Sequence, residues 1–365
     1  MATTLLQELG VEPFRERFPW HGGDLQTLRD SLRHLWSRAE TGQVVPLPAG
    51  RPPGLERARP EDRLVGILDQ PLAANREPRA LVLVLHGLAG SSASHAPRRL
   101  SLVLRQAGFR VLRLNLRGAG AGRALAPGSY AADSNADLLP ALRWARPLAE
   151  GRPLLAAGLS LGGTQLLRAA QAEPELLDGL VCISSPLNLQ SCSRQIASRR
   201  NAVYQWWLLR RLKSLVLADP FGVAPRERRA LEHGGPGSIR GFDAVITAPR
   251  WGYRSVDDYY TRASPLPDLL DSRQRACLPA TLLVHALDDT WVPAEPTAAL
   301  ARLPDPGPLE VLLTPRGGHG GFHGSRDRGD TGCWIDRVTA RWLVQLLQRR
   351  NPSGAGSTAR SAGRR

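Results

Sequence analysis

The chain has 365 residues, 42% of them hydrophobic, which is enough for one large domain with a sizeable core. Its formal net charge of +15 raises the question of nucleic-acid binding, but arginine is spread along the whole chain, lysine occurs once, and no recognised nucleic-acid motif is present. We therefore expect neither nucleic-acid binding nor, since no apolar run reaches transmembrane length, a membrane-spanning protein.

The amino-terminal residues and the cysteines bear on location and on metal content. Residues 1–10 carry no cationic stretch leading into an apolar run, so no secretory signal is predicted and a cytoplasmic enzyme is expected. The cysteines show neither CxxC spacing nor the short His/Cys intervals of a zinc site. They are Cys182, Cys192, Cys277 and Cys333. We expect reduced thiols, no metal and no cofactor.

The chain begins with a segment that we interpret as an N-terminal arm packed on the main domain, residues 1–60. It contains one helical pattern at 25–36, followed by the Pro/Gly-rich run 46–60. Beyond it, short apolar runs alternate with helical stretches, which predicts a mostly parallel sheet with helices on both faces. The runs are Leu81–Leu85, Val111–Asn115, Leu154–Ala157, Leu180–Ser184, Thr281–His285 and Leu309–Leu313. This domain is expected to span residues 61–350.

The alternation of apolar runs is interrupted between residues 185 and 278. This stretch is rich in tryptophan, tyrosine and arginine, and we predict that it is an inserted helical cap. Some of its tryptophans are candidates to line an acyl pocket, the alternative being that they fill the core of the cap. They are Trp206, Trp207 and Trp251. Residues 351–365 are mostly Gly, Ser, Ala and Arg and predict a disordered basic tail, because they have little to bury.

The clearest chemical motif is Gly158-Leu159-Ser160-Leu161-Gly162, which follows an apolar run and precedes a helical pattern. This is the context of a nucleophile elbow, in which a strained turn between strand and helix exposes a serine. Glycines two residues on either side are needed because larger side chains would collide with the neighbouring elements. The motif predicts Ser160 as a catalytic nucleophile.

Two backbone N–H groups are predicted to form the oxyanion hole. One belongs to Leu88, in the loop His86-Gly87-Leu88-Ala89-Gly90 that follows the first apolar run. The other belongs to Leu161, the residue after the nucleophile. His86 precedes the serine, whereas the triad order in this context is Ser, acid, His, so we expect His86 to order the loop rather than to act as the base.

The catalytic acid is predicted within Asp288-Asp289-Thr290-Trp291-Val292-Pro293, directly after the run 281–285. A carboxylate at the end of a strand can reach a histidine across a loop and orient its ring. We favour Asp289 because of the Asp-x-x-Val-Pro spacing and keep Asp288 as the alternative.

The catalytic base is predicted as His319, in Gly317-Gly318-His319-Gly320-Gly321 after the last apolar run. Glycines on both sides would let a loop carry the imidazole ring back to Ser160. His323 also lies beyond the last run but lacks glycines on both sides, and it remains the alternative.

The order of these motifs resembles that of the YheT-like branch of the α/β-hydrolase superfamily, over about residues 14–347. The matching segments are Asp24-Leu25-Gln26-Thr27, His86-Gly87, Asn115-Leu116-Arg117-Gly118, Gly158–Gly163, Phe242-Asp243 with Thr247, Asp258-Tyr259-Tyr260 with Ser264, Asp288-Asp289, and Gly318-His319 with Gly321-Phe322. The chain departs from the usual pattern at Asp24, where the family shows histidine, and at Thr290, where proline often occurs. The first departure leaves the role of the arm open.

The resemblance implies the α/β-hydrolase fold and a carboxylic ester hydrolase acting on short acyl esters or acylglycerols. A small-molecule or lipid ester is thus the expected partner, and peripheral contact with a membrane stays open. Other enzymes on this fold, such as thioesterases, peptidases or acyltransferases, and a non-catalytic scaffold are the alternatives.

Overall fold

The computed structural model of this chain describes residues 2–33, 42–72, 77–232, 235–327 and 332–350. A central sheet of eight strands has the order β1-β2-β4-β3-β5-β6-β7-β8. The strands are β1 Gln43–Pro48, β2 Arg63–Asp69, β3 Leu81–Leu85, β4 Arg110–Asn115, β5 Leu154–Leu159, β6 Gly179–Ile183, β7 Thr281–Ala286 and β8 Leu309–Thr314. Only β2 runs antiparallel to its neighbours, so the prediction of a mostly parallel sheet is confirmed.

The helices lie on both faces of the sheet and above its carboxyl edge. They are α1 Ala2–Glu8, α2 Gly22–Arg33, α3 His95–Gln106, α4 Asn135–Leu148, α5 Leu161–Ala172, α6 Leu189–Ile196, α7 Ala202–Leu217, α8 Pro225–Glu232, α9 Ile239–Phe242, α10 Ala248–Arg250, α11 Val256–Ala263, α12 Leu266–Leu270, α13 Ser272–Ala276, α14 Glu295–Leu300 and α15 Trp334–Arg350. A π-helical turn, Asp243–Thr247, joins α9 to α10. The last part of the helix predicted at 25–36 and the tail 351–365 fall outside the described residues.

Alternation along the strands separates two hydrophobic cores. In β3, Leu83 packs into a cluster that includes residues of α4 and α5, whereas its neighbours Val82 and Val84 pack into a second cluster that includes residues of α3 and α15. Successive side chains of a strand point to opposite faces, so a strand covered on both sides reads as a continuous apolar run. This is why β3, β5, β6 and β7 are visible in the sequence.

The two strands at the other end of the sheet were not predicted. β1 lies inside the stretch assigned to the N-terminal arm, and the predicted boundary at residue 60 separates it from its partner β2. Pro46 and Pro48 suggested a loop, because proline cannot donate to a sheet ladder. The structure tolerates both prolines because β1 is the edge strand.

Eight helices, α6 to α13, follow β6 and precede β7, and the described residues of this interval contain no strand. We call residues 185–278 the cap. Within the part of the chain that the structure describes, none of the helices has the length and apolar character required to span a bilayer.

Candidate active site

Ser160 occupies a tight turn between β5 and α5. Its φ is +52°, a left-handed value that a residue other than glycine adopts only under strain. A Cβ at Gly158 would lie 2.4 Å from the backbone of Gly163, and one at Gly162 would lie 2.6 Å from the backbone oxygen of His86. Glycine is therefore required at both positions that the sequence motif singled out.

The structure brings the serine together with the two predicted partners. His319 Nε2 lies 2.8 Å from Ser160 Oγ, and His319 Nδ1 lies 2.9 Å from Asp289 Oδ2. The three residues follow β5, β8 and β7, which are parallel strands whose carboxyl ends share one edge of the sheet. This is the hydrogen-bonded chain of nucleophile, base and acid that the sequence predicted.

The Asp289 carboxylate is fixed from two sides. Its second oxygen, Oδ1, accepts hydrogen bonds from the backbone N–H groups of Trp291 and Val292, both at 2.9 Å. Burial alone would raise the pKa of Asp289, but the neighbouring His319 and the backbone donors outweigh it, and the pKa is lowered. The group is therefore an ionised acceptor for the imidazole N–H.

Asp288, the alternative acid, is hydrogen-bonded to the backbone of Gly318 rather than to the imidazole of His319. Its Oδ1 accepts a hydrogen bond from the Gly318 N–H at 2.9 Å, and it makes no hydrogen bond to His319 among the described residues. Burial raises its pKa. Asp288 thus supports the loop that carries the histidine.

His323, the alternative base, is fully buried in a separate polar cluster. Its Nε2 lies 3.2 Å from Asp30 Oδ1, and its Nδ1 is contacted by Arg29. Burial lowers its pKa to about 4. The structure therefore places His323 away from the hydroxyl of Ser160.

His86 and Tyr130 shape the loop after β3. The Nε2 of His86 accepts from the Leu116 N–H at 3.3 Å, so the proton is assigned to Nδ1, which donates to the Gly87 carbonyl at 2.9 Å. Burial lowers the pKa of His86 to about 4, which keeps the ring neutral. Tyr130, which the sequence did not single out, accepts from the Ala89 N–H at 2.7 Å and donates to the Gly87 carbonyl at 3.2 Å.

The two predicted oxyanion donors belong to segments beside Ser160. A Cβ on Gly87 would lie 3.6 Å from Ser160 Oγ, so the loop that carries Leu88 runs directly against the nucleophile. Leu161 is the first residue of α5, where backbone N–H groups have no acceptor within the helix. Both leucines line the same cavity as the serine.

The N-terminal arm holds the loop that carries His319, a role that the sequence left open. Thr27 Oγ1 accepts the hydrogen bond of the His319 backbone N–H at 2.9 Å and donates to the Gly23 carbonyl at 2.6 Å. Next to it, the fully buried Gln26 accepts from the His323 N–H at 2.7 Å. The only sequence signal for these contacts was the Leu-Gln-Thr motif itself.

Glycines allow the arm and the histidine loop to approach closely. A Cβ on Gly318 would lie 2.3 Å from the Gly23 carbonyl oxygen, and one on Gly321 would lie 2.4 Å from the Gln26 carbonyl oxygen. Gly318 also has a φ of +60°. Asp24, where the family shows histidine, accepts hydrogen bonds from two cap residues, Arg200 at 2.9 Å and Tyr204 of α7 at 3.0 Å.

The contact between Thr27 and His319 predicts a measurable effect on turnover. Thr27→Val keeps the shape of the side chain but leaves the buried N–H of His319 without its acceptor, and we expect kcat to fall roughly 10- to 100-fold with little change in KM. Thr27→Ser retains the hydroxyl and should stay within about threefold of the wild type. Steady-state kinetics on a soluble ester tests this, and equal losses in the two variants would contradict it.

Ser160 opens into a cavity of about 340 Å³, and apolar side chains of the cap form part of its wall. Those side chains include Leu208, Leu212, Leu215, Val216, Ile239 and Phe242. Trp207 also lines the cavity, whereas Trp206 does not, because its ring points outward and is 59% exposed. Trp251 is buried, and its Nε1 donates to the Ser129 carbonyl at 2.9 Å.

The ring of Trp291 packs on the imidazole of the candidate base, a contact that sequence reasoning missed. The centroids of Trp291 and His319 are 4.9 Å apart and the rings are inclined by 22°. Trp291 follows Asp289 by two residues, so one short segment orients both the acid and a face of the base. Among the described residues, no cluster of three or more His, Cys, Asp or Glu side chains forms a metal site.

Comparisons with known proteins show the family of this chain. The model of the family described as alpha/beta hydrolase fold matches residues 80–324. An Escherichia coli (strain K12) protein named "Putative esterase YheT" is 30% identical over 285 residues, which are 77% of this chain and 80% of that protein. The Bos taurus protein named "Phospholipase ABHD3" is 28% identical over 275 residues, 74% of this chain and 64% of that protein. The match thus spans less than two thirds of the bovine protein.

Solved structures show the same fold at low sequence identity. The Pyrococcus furiosus esterase PF2001 gives a TM-score of 0.51, at 16% identity, over 93% of this chain and 97% of that chain. At this identity the likeness concerns the fold alone.

Proposed function

Because the chain belongs to the alpha/beta hydrolase-fold family, in the branch of YheT, we propose that it is a serine hydrolase that cleaves carboxylic esters through an acyl-enzyme. The observation that carries this proposal is the continuous hydrogen-bonded chain from Ser160 through His319 to Asp289, with contacts of 2.8 and 2.9 Å. Such a chain makes a serine hydroxyl nucleophilic without requiring a free alkoxide.

In the proposed reaction, His319 Nε2 takes the proton of Ser160 Oγ while that oxygen attacks the carbonyl carbon of the ester. The carbonyl oxygen becomes negatively charged and accepts hydrogen bonds from the N–H groups of Leu88 and Leu161. Asp289 stabilises the imidazolium. Collapse of the intermediate releases the alcohol with a proton from His319. Water then repeats the sequence on the acyl-enzyme and releases the acid.

The cavity favours an acyl substituent as the group that is bound. Its apolar cap residues suit a hydrocarbon chain, and a volume of about 340 Å³ falls at the lower end of ordinary ligand pockets. The esterase and phospholipase names of two relatives agree with short acyl esters or acylglycerols as substrates. The physiological partner is then a small-molecule or lipid ester.

A panel of substrates that share one acyl group tests the proposal. We expect the wild-type chain to hydrolyse a butanoyl oxygen ester with a higher kcat/KM than the matching thioester or amide. Because all three substrates present the same acyl chain to the cavity, a difference in kcat/KM reports on the scissile bond rather than on binding of the chain. Faster turnover of the thioester would assign the chain to the thioesterases, and faster turnover of the amide would assign it to the peptidases. Faster transfer of the acyl group to an alcohol than to water would assign it to the acyltransferases, and no turnover would indicate a non-catalytic scaffold.

A further inference from the structure

The cap helix α7 carries an arginine in the wall of the cavity. Leu208, Arg211 and Leu215 lie on successive turns of this helix and line the cavity together with Ser160. On the outer face of the same helix, Arg210 is exposed. The two adjacent arginines therefore differ in their surroundings: Arg210 is exposed, and Arg211 is half-buried in the wall of the cavity that holds Ser160.

The guanidinium of Arg211 has no hydrogen-bond acceptor among the described residues. It stacks over the ring of Trp207, at 5.6 Å from the centroid, and makes neither an ion pair nor a hydrogen bond with any described residue. Arg211 is half-buried, whereas the fully buried Arg117 is paired and donates to Asp137 at 2.8 and 2.7 Å. A guanidinium carries five N–H donors, so the donors of Arg211 remain available to a ligand.

The part of α7 that carries Arg211 packs on the oxyanion loop, because Leu88 and Ala89 share a hydrophobic cluster with Leu212 and Leu215. The positive charge of Arg211 acts on the hydroxyl of Tyr130, opposing the rise in its pKa that burial causes. The same hydroxyl accepts from the Ala89 N–H at 2.7 Å, next to the predicted oxyanion donor Leu88. Arg211 is thus placed to meet a group near the reacting ester.

The carboxylates that line the cavity already have partners. Asp243 accepts hydrogen bonds from Thr247 at 2.7 Å and from Tyr260 at 2.8 Å. Asp30 is paired with Arg99 at 2.5 Å. An anion for Arg211 would therefore come from a bound molecule rather than from the cavity wall.

We propose that Arg211 binds an anionic group of the ester substrate, a phosphate diester or a carboxylate, and we assign that group to the alcohol because the apolar side chains of the cavity suit the hydrocarbon of the acyl chain. The inference rests on the proposed ester hydrolysis and names the class of ester. Arginine suits this task because its planar fork makes two parallel hydrogen bonds to either group and keeps its charge at any physiological pH. Trp207 fixes the plane of that fork.

Three butanoyl esters whose alcohols carry a neutral group, a carboxylate or a phosphate diester test the proposal with variants of two adjacent arginines. We expect Arg211→Gln to lower kcat/KM roughly 10- to 100-fold for an anionic ester and to leave the neutral ester within about twofold. Arg211→Lys keeps the charge but not the planar fork, so its kcat/KM for an anionic ester should fall less than that of Arg211→Gln. Arg210→Gln is the matched control, because Arg210 also lies over a tryptophan ring, at 5.5 Å from the centroid of Trp206. This variant should leave kcat/KM for all three esters unchanged.

The outcomes separate this inference from the proposed function. Turnover of the neutral ester by the wild type tests ester hydrolysis, whereas the ratio of anionic to neutral kcat/KM in Arg211→Gln tests the anion site. A larger loss on the phosphate diester than on the carboxylate identifies a phospholipid-like headgroup as the ligand, and the reverse identifies a carboxylate. Equal losses on neutral and anionic esters, or no loss on either, would overturn the inference. Failure of the wild type to hydrolyse any of the three esters would contradict both the proposed ester hydrolysis and the anion site.

Discussion

Replacement of Ser160 by alanine is expected to lower kcat for ester hydrolysis by about 10⁴- to 10⁶-fold while the fold is retained. The reason is that Ser160 Oγ, 2.8 Å from His319 Nε2, is the atom that forms the acyl-enzyme in the proposed mechanism. Among the described residues, no other hydroxyl is hydrogen-bonded to His319 Nε2. Turnover of a soluble butanoyl ester measures the loss. An unchanged melting temperature shows that the variant is folded.

Covalent labelling supplies the control for this prediction. A fluorophosphonate should modify the wild-type chain at Ser160 and should not label Ser160→Ala. Ser193→Ala removes another hydroxyl from the wall of the same cavity, and this variant should be labelled like the wild type. Labelling that persists in Ser160→Ala, or near wild-type turnover by that variant, would refute the mechanism.

The parts of the site that could be predicted from sequence are those fixed by local geometry. The elbow turn needs glycine at 158 and 162 because the backbone of neighbouring elements lies 2.4 to 2.6 Å from where their Cβ atoms would be. Because both glycines are required, the turn can be recognised in the sequence from a short motif. Asp289 and His319 were located by a second rule, that each follows a strand that is buried on both faces and therefore visible as an apolar run.

The parts that could not be predicted depend on contacts between distant segments. The hydrogen bond from the His319 backbone to Thr27 joins residues that are 292 positions apart. No periodicity in either segment predicts this contact. The stacking of Trp291 on His319 depends in the same way on how two loops meet. Trp206 and Trp207 are neighbours in sequence, and only the direction of α7 decides which of them lines the cavity.

The choice between two adjacent aspartates leads to the second large effect. Asp289→Asn is expected to lower kcat by roughly 10³- to 10⁴-fold. Asparagine can still accept the backbone N–H groups of Trp291 and Val292 through its carbonyl oxygen, which turns its amide N–H₂ toward His319 Nδ1. That nitrogen must then be an acceptor, so the ring proton moves to Nε2, which can no longer accept the proton of the nucleophile.

Asp288→Asn is the matched control, because it removes the adjacent charge by the same chemical change. Its carbonyl oxygen can keep the hydrogen bond from the Gly318 N–H at 2.9 Å, so we expect kcat to fall by less than about tenfold. Steady-state kinetics of both variants on one soluble ester, with melting temperatures as a check on folding, ranks the two carboxylates. If Asp288→Asn lost far more activity than Asp289→Asn, the orienting carboxylate would have to be Asp288, and the 2.9 Å contact between Asp289 and His319 would not be the catalytic one.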